Sequence, residues 1–336
     1  MTDNAIRVEG LQKRFGDVVA LGGIDLEVQE GTVFGLLGPN GAGKTTAVRV
    51  LATVLAPDAG RAEVLGFDVV THADAVRRRI GMAGQFAAVD ANLTGRENLA
   101  MVGVLGQLPR SAIAPRAAEL LGRFGLDDAA DRPVRTYSGG MRRRLDIAAS
   151  LVQRPPVLFL DEPTTGLDIA SRNDLWEMIR ELVNEGTTVL LTTQYLEEAD
   201  QLAARVAVVD VGQIIANDTP QRLKAQLGNT VVEMGFGEAA LAERAHRLIG
   251  DGVAGTVERE GSVIRVSSDR GPHVLVEVLR RFDADGIEPA SLSVREPSLD
   301  DVFLKLTGHH ADPVGDEPAV VATGGRRGRR GSGGPV

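Results

Sequence analysis

Gly38-Pro39-Asn40-Gly41-Ala42-Gly43-Lys44-Thr45-Thr46 reads G-x-x-x-x-G-K-T, the spacing of a loop that cradles phosphate. The apolar run Val33-Phe34-Gly35-Leu36-Leu37 before it has the length of a buried strand, and Thr46-Ala47-Val48-Arg49-Val50-Leu51 after it starts a helix. Strand, loop and helix in that order are the context the motif requires. The glycines let backbone N–H groups turn inward at a helix N-terminus, where the peptide dipoles favour an anion. Lys44 then reaches the β- and γ-phosphates, and the Thr45 hydroxyl is placed to ligate Mg²⁺.

Composition bounds the rest. The 336 residues suffice for one large domain and a small one. A net charge of -9 argues against a chain built to coat nucleic acid, so no nucleic-acid partner is expected. With no cysteine there is neither a disulfide nor a thiolate metal site. No apolar run approaches the roughly 18 residues of a membrane span, and the N-terminus lacks the apolar core of a signal peptide.

Working outward, Ile6–Leu11 alternates as a strand, and Val19–Leu21 and Ile24–Val28 are two further strand candidates. Between them Phe15 reads either as a stacking platform for a purine or as a core residue. Ala62–Gly66 is a short strand and Val76–Ile80 lies in a basic helix. Gln85 ends a strand and opens a loop, where its amide could ligate Mg²⁺ or hold water, or simply be solvated. Residues 92–132 read as helices, Leu93–Leu105 and Ala112–Phe124, inserted between two halves of the core. Tyr137-Ser138-Gly139-Gly140-Met141 at a helix start is a second anion site by its free N–H groups and hydroxyl, or an ordinary cap.

Val157-Leu158-Phe159-Leu160 runs into Asp161-Glu162, a buried strand ending in two carboxylates. Asp161 is placed to hold the Mg²⁺ shell. Glu162, pointing the opposite way by strand alternation, is placed to accept a proton from an attacking water. Pro163–Asp168 follows as a loop, then a helix over Arg172–Asn184, a strand over Thr188–Thr193 with Gln194 at its end, and a hairpin over Val206–Ala216.

Past Leu227 the order becomes strand, helix, strand, strand, helix, strand over 230–295, a ferredoxin-like pattern. A helix at Leu299–Leu304 follows, whose acidic-apolar face offers a docking surface for another subunit. The expected organisation is a nucleotide-binding unit over 1–228 with a helical part over about 90–150, an accessory α+β unit over 229–308, and a Gly/Arg-rich tail over 309–336 expected to be disordered.

Over roughly residues 4–225 the chain resembles the ATPase subunits of ATP-binding-cassette transporters, on five motifs: Gly38–Thr46, Gln85, Tyr137–Met141, Val157–Glu162 and Gly166-Leu167-Asp168. Within that family it is most similar to the daunorubicin-resistance type of drug-export ATPase. The pointers are Tyr137–Arg144, Thr193–Asp200 and Pro297–Leu304. The resemblance implies an α/β phosphate-loop NTPase fold with a helical insert, and ATP and Mg²⁺ as cofactors. It implies a homodimer sandwiching two ATP molecules, with Ser138, Gly139 and Gly140 of one subunit facing the γ-phosphate held by Lys44 of the other. Phe15 then stacks on adenine, Thr45, Gln85 and Asp161 serve the metal, Asp168 joins the nucleotide site and Glu162 polarises water. The same resemblance implies a separate ABC-2-type membrane permease, a hydrophobic anthracycline-like drug as cargo, and residence at the cytoplasmic face of the membrane. Two departures stand out: Tyr137 and Met141 replace the usual Leu and Gln of the signature, and Gln194 stands where the family carries a switch histidine.

Two other functions compete. One is a soluble cassette ATPase acting on DNA or ribosomes, whose relatives carry paired cassettes, coiled coils or zinc cysteines absent from this chain. The other is a drug-sequestering immunity protein regulated by nucleotide. Drug-dependent fluorescence of the single Trp176 without ATP turnover would single it out.

Overall fold

The computed structural model describes residues 4–84, 89–227, 230–250, 255–268, 270, 273–295 and 297–307. Gln85 and the tail over 309–336 therefore lie outside the described residues.

The first half of the chain runs β1 (Asn4–Phe15), β2 (Val18–Gln29), β3 (Val33–Leu37), α1 (Lys44–Leu51), β4 (Ala59–Val64), β5 (Phe67–Asp68), α2 (Ala73–Arg77), β6 (Ile80–Ala83), α3 (Gly95–Leu105), α4 (Arg110–Arg123) and α5 (Gly139–Ser150). The core is completed by β7 (Val157–Asp161), α6 (Ile169–Asn184), β8 (Thr188–Thr193), α7 (Leu196–Leu202), β9 (Arg205–Asp210), β10 (Gln213–Asp218) and α8 (Pro220–Ala225). The accessory unit is β11 (Thr230–Gly235), α9 (Ala239–Gly250), β12 (Thr256–Glu260), β13 (Val263–Ser268), α10 (His273–Ala284), β14 (Ser291–Arg295) and α11 (Leu299–Thr307).

The central sheet has the order β10-β9-β3-β8-β7-β6. Its pairs are parallel except β9 with β10. Every residue of β3, β7 and β8 is buried, as a parallel sheet covered on both faces requires, and their apolar sequences follow from that. The chain between β6 and β7 carries the helices α3 to α5. Thr94 caps α3 in a reciprocal capping box with Glu97.

Some elements depart from the sequence reading. Val19–Leu21 and Ile24–Val28 form one continuous strand, β2, paired antiparallel with β1 through several register shifts. Gly22 and Gly23 interrupt the sequence pattern there, and the ladder carries the strand across them. The basic helix α2 stops at Arg77, so Ile80 opens β6.

In the accessory unit the sheet order β12-β13-β11-β14, antiparallel throughout, is that of the expected β-α-β-β-α-β unit. The final helix departs from its expected role. Leu299, Val302 and Phe303 of α11 are buried in the same cluster as Leu202, Ala203, Leu223 and Leu227. The apolar face expected to await another subunit is covered by α7 and α8 of the same chain. Arg295 holds the start of α11 by a bidentate pair with Asp301, at 2.5 and 2.8 Å, while Ser298 N and Oγ both donate to Asp301 Oδ2 at 2.8 Å.

Candidate active site

The phosphate loop joins β3 to α1 and needs glycine for steric reasons. A Cβ on Gly43 would collide with the Ala20 carbonyl, and Gly43 has φ of 108°, where side chains are strained. A Cβ on Gly38 would strike the Val209 carbonyl. Gly41, at φ 81°, opens onto free space. Asn40 and Gly41 are exposed, Pro39 and Thr46 are half-buried, and Ala42 packs into the core. The loop is thus anchored at its glycine ends and open at its middle, leaving room for a phosphate chain.

Lys44, the first residue of α1, is 4% exposed. Its Nζ donates to Gly38 O at 2.7 Å and Pro39 O at 3.0 Å, and Glu162 Oε1 lies 3.4 Å away. Burial lowers the Lys44 pKa, while the Glu162 and Asp161 carboxylates hold it up. The ammonium is satisfied by two carbonyls that a phosphate oxygen can replace.

Thr45 Oγ1 donates to Asp161 Oδ1 at 3.0 Å. A hydroxyl and a carboxylate oxygen side by side at the mouth of the loop are the oxygen donors a Mg²⁺ ion takes from protein when phosphates and water supply the rest. The residues present therefore fit a Mg–nucleotide.

Both carboxylates at the end of β7 face this loop, contrary to the alternation expected from sequence. The strand ends at Asp161, and Glu162 has φ of 50°, a left-handed conformation that turns its side chain back toward Lys44. Thr192 holds the turn: Glu162 N donates to Thr192 O at 3.1 Å and to Thr192 Oγ1 at 3.0 Å, and Thr192 Oγ1 donates to Asp161 Oδ1 at 2.6 Å. Strain of this kind costs on the order of 1–3 kcal/mol and concentrates at functional sites.

Ser138 caps α5, accepting from Met141 N at 3.2 Å. Ser138 and Gly139 are exposed and Gly140 half-buried, so the cap faces outward. Among the described residues no hydrogen bond joins it to the phosphate loop of its own chain. Tyr137, the first departure from the family signature, is buried, and its hydroxyl donates to Ala129 O at 2.6 Å; a Cβ on Gly95 would crowd that hydroxyl. The larger ring is thus accommodated in the helical part without disturbing Ser138. Phe15 is 49% exposed and is no core residue. Asp168 is exposed and caps α6, accepting from Ser171 N at 2.7 Å; that backbone bond holds its carboxyl below the usual range. Gln194 follows β8, and its Oε1 is buried without a hydrogen-bond partner.

Two further residues of the site escaped the sequence reading. One is Thr192, hidden in an apolar strand. The other is Arg143, quoted there only as part of the Tyr137–Arg144 stretch and given no role. Its guanidinium donates to Pro163 O at 2.9 Å, Asp161 O at 3.0 Å and Gly84 O, and lies 3.4 Å from Asp146 Oδ2. It pins α5 to the carboxylate strand and to the loop leading toward Gln85.

Comparison with known proteins agrees with this geometry. Residues 21–165 match the ABC transporter family, and residues 219–307 match the C-terminal domain of ATP-binding proteins like DrrA1-3. The chain is 52% identical over 314 residues to the daunorubicin resistance ATP-binding protein DrrA2 of Streptomyces coeruleorubidus, covering 93% of this chain and 98% of that one. It is 50% identical over 317 residues to the daunorubicin/doxorubicin resistance ATP-binding protein DrrA of Streptomyces peucetius, covering 94% and 96%. Among solved structures it resembles cbiO1 of Clostridium perfringens, with TM-score 0.62 and 28% identity over 67% of this chain and 92% of that one. It also resembles the ADP conformation of the cassette MJ1267, with TM-score 0.59 and 27% identity over 66% and 93%.

Proposed function

The chain belongs to the ABC transporter family, among its daunorubicin-resistance ATP-binding proteins, and on that premise we propose how it works. It is the ATP-hydrolysing subunit of a drug exporter. Among the described residues no helix is long and apolar enough to cross a membrane. The drug path then belongs to a separate ABC-2-type permease, and this subunit sits at the membrane's cytoplasmic face.

In our reading the β- and γ-phosphates take the place of the Gly38 and Pro39 carbonyls on Lys44, and the loop N–H groups complete the cradle. Thr45 and Asp161 would hold Mg²⁺, together with Gln85. Bound Mg²⁺ would neutralise charge developing between the β- and γ-oxygens. Phe15 offers its exposed ring to adenine. Glu162 takes the proton of the attacking water, Gln194 donates an amide N–H toward the γ-phosphate, and Thr192 keeps both carboxylates aimed. The outward-facing Ser138, Gly139 and Gly140 complete the site of a second copy, with Asp168 near that junction. The 1–228 unit carries the chemistry and the 229–308 unit packs onto it through α11.

The observation that carries this reading is the pairing of Lys44 with Glu162 and of Thr45 with Asp161 at one loop mouth. The other two functions, a soluble DNA- or ribosome-directed ATPase and a drug-sequestering protein, are not favoured. Relatives 45–53% identical over most of the chain are named drug-resistance ATP-binding proteins. The test is ATP-dependent anthracycline accumulation in inverted vesicles holding the chain and its membrane partner. Accumulation that is lost with Lys44→Ala supports export. ATP hydrolysis without accumulation would overturn it.

A further inference from the structure

Glu162 has φ of 50°, a left-handed backbone that a glutamate keeps when its surroundings hold it there. Thr192 holds the turn from the amide side, through Glu162 N. A different element holds the carbonyl side. Arg143 on α5 donates through Nη2 to Asp161 O at 3.0 Å and through Nε to Pro163 O at 2.9 Å. Those are the carbonyls of the residues immediately before and after Glu162. The same guanidinium donates through Nη1 to Gly84 O, one residue beyond the end of β6.

One planar fork of donors thus reaches three backbone carbonyls on two strand exits, which a lysine ammonium, a single point of charge, cannot reproduce. The Arg143 side chain is 10% exposed, and Asp146 Oδ2, on the next turn of α5 and 2% exposed, lies 3.4 Å from its Nη1. The buried cation therefore has a counter-charge on its own helix. A buried ion pair of this kind is weak evidence for stability, so its value here lies in the geometry it fixes. Among the described residues no hydrogen bond joins Arg143 to the phosphate loop. Its contacts go to the backbone that aims Glu162 and not to the groups that hold phosphate.

We infer that Arg143 is a positioning residue for hydrolysis: it grips the backbone on both sides of Glu162, so that α5, the helix capped by Ser138, sets where the base stands. The inference rests on the role given above to Glu162. Its consequence is a split between chemistry and binding. Loss of the grip lets the strained turn relax and the carboxylate swing off the attacking water, while Lys44, Thr45 and Asp161 still hold the nucleotide.

The experiment uses the full chain with Mg-ATP and compares Arg143→Lys, Glu162→Gln and the double variant, measuring kcat and, separately, the Kd for Mg-ATP. Arg143→Lys keeps the buried charge and loses the fork. It should lower kcat by about 10-fold or more with Kd within about twofold. In the Glu162→Gln background the same change should cost less than about twofold, because no base is left to aim. A role in folding alone would give no such dependence on Glu162. Parental kcat in Arg143→Lys overturns the inference, as does a weakened Kd that accounts for the loss, or a loss of equal size in both backgrounds. If Arg143→Lys does not fold, Arg143→Gln with Asp146→Asn removes both buried charges together, which a core tolerates better than a lone one. That protein should show the same fall in kcat at unchanged Kd, and parental kcat in it overturns the inference equally. Glu162→Gln alone separates the two readings. A parental rate for it sinks the base and its positioning together, whereas a slow Glu162→Gln beside a parental Arg143→Lys sinks only the role of Arg143.

Discussion

Lys44 Nζ and Glu162 Oε1 stand 3.4 Å apart across the mouth of the phosphate loop, both side chains nearly sealed from solvent. The pairing exists because Glu162 adopts a left-handed backbone at the end of β7, which brings the proposed base onto the same side as the phosphate-binding ammonium. On the proposed mechanism, a phosphate entering the loop would compete with Glu162 for Lys44 and release that carboxylate for water. Charge exchange at one lysine would thereby couple nucleotide binding to the arming of the base.

Glu162→Gln should bind Mg-ATP and hydrolyse it about 100-fold more slowly or worse, because the amide cannot take the proton. Its dimer should accumulate with ATP on gel filtration. Turnover at the parental rate would show that another group is the base.

Thr192→Val keeps the shape of the residue and deletes one hydroxyl that donates to Asp161 and accepts from Glu162 N. Both carboxylates lose their aim together. We expect kcat/KM for Mg-ATP to fall roughly 10- to 100-fold, as the loss of one or two charge-assisted bonds, with little change in the unfolding midpoint. A large drop in that midpoint with kcat/KM intact would make Thr192 a structural residue only.

These two predictions also mark where the sequence was and was not readable. The buried parallel strands were legible because both faces are covered, so Val33–Leu37, Val157–Leu160 and Thr188–Thr193 announce themselves by apolar composition. Gly22 and Gly23 hid the continuity of β2, since only the ladder with β1 carries the strand past them. The direction of Glu162 was not legible, because alternation holds inside a strand and not at a left-handed turn. Thr192 and Arg143 gain their importance from tertiary partners 31 and 18 residues away, which no local pattern reveals. In α11 the amphipathic pattern identified an apolar face, but which surface covers it is decided by the fold.

That covered face predicts a result for truncation. Removing the chain after Leu227 would strip Leu299, Val302 and Phe303 from Leu223 and Leu227, each buried apolar side chain contributing about 1.5–3 kcal/mol. The shortened protein should unfold at a lower temperature and expose apolar surface to a dye such as ANS. An unchanged unfolding midpoint would mean that α11 contributes nothing to the nucleotide-binding unit.

Asp301 gives the same contact a pH dependence. Burial works to raise its carboxyl, but Arg295 and Ser298 outweigh this and hold it below the usual range. A depressed folded pKa stabilises the folded form above the unfolded value of about 3.9 and loses that contribution as pH falls through the folded pKa. Acid titration should therefore release α11 below about pH 4, and Arg295→Ala should move that release to higher pH. A release pH unmoved by Arg295→Ala would show that Asp301 does not control the contact.

We propose that Gln194 senses the γ-phosphate. Its amide offers two N–H donors and no proton that titrates near neutrality, and its Oε1 is buried without a partner at the end of β8. A histidine at this position would keep one donor and add a group titrating near pH 6.5. Gln194→Ala should slow hydrolysis by roughly 10- to 100-fold, the loss of one positioned donor being about 1.4–2.7 kcal/mol. Gln194→His should remain active and acquire a rate change centred near neutral pH that the parent lacks. The measurement is a pH–rate profile of the three proteins at saturating Mg-ATP. An alanine variant as fast as the parent would place the γ-phosphate sensor elsewhere, and a histidine variant with a profile matching the parent's would mean that position 194 does not approach the reacting phosphate.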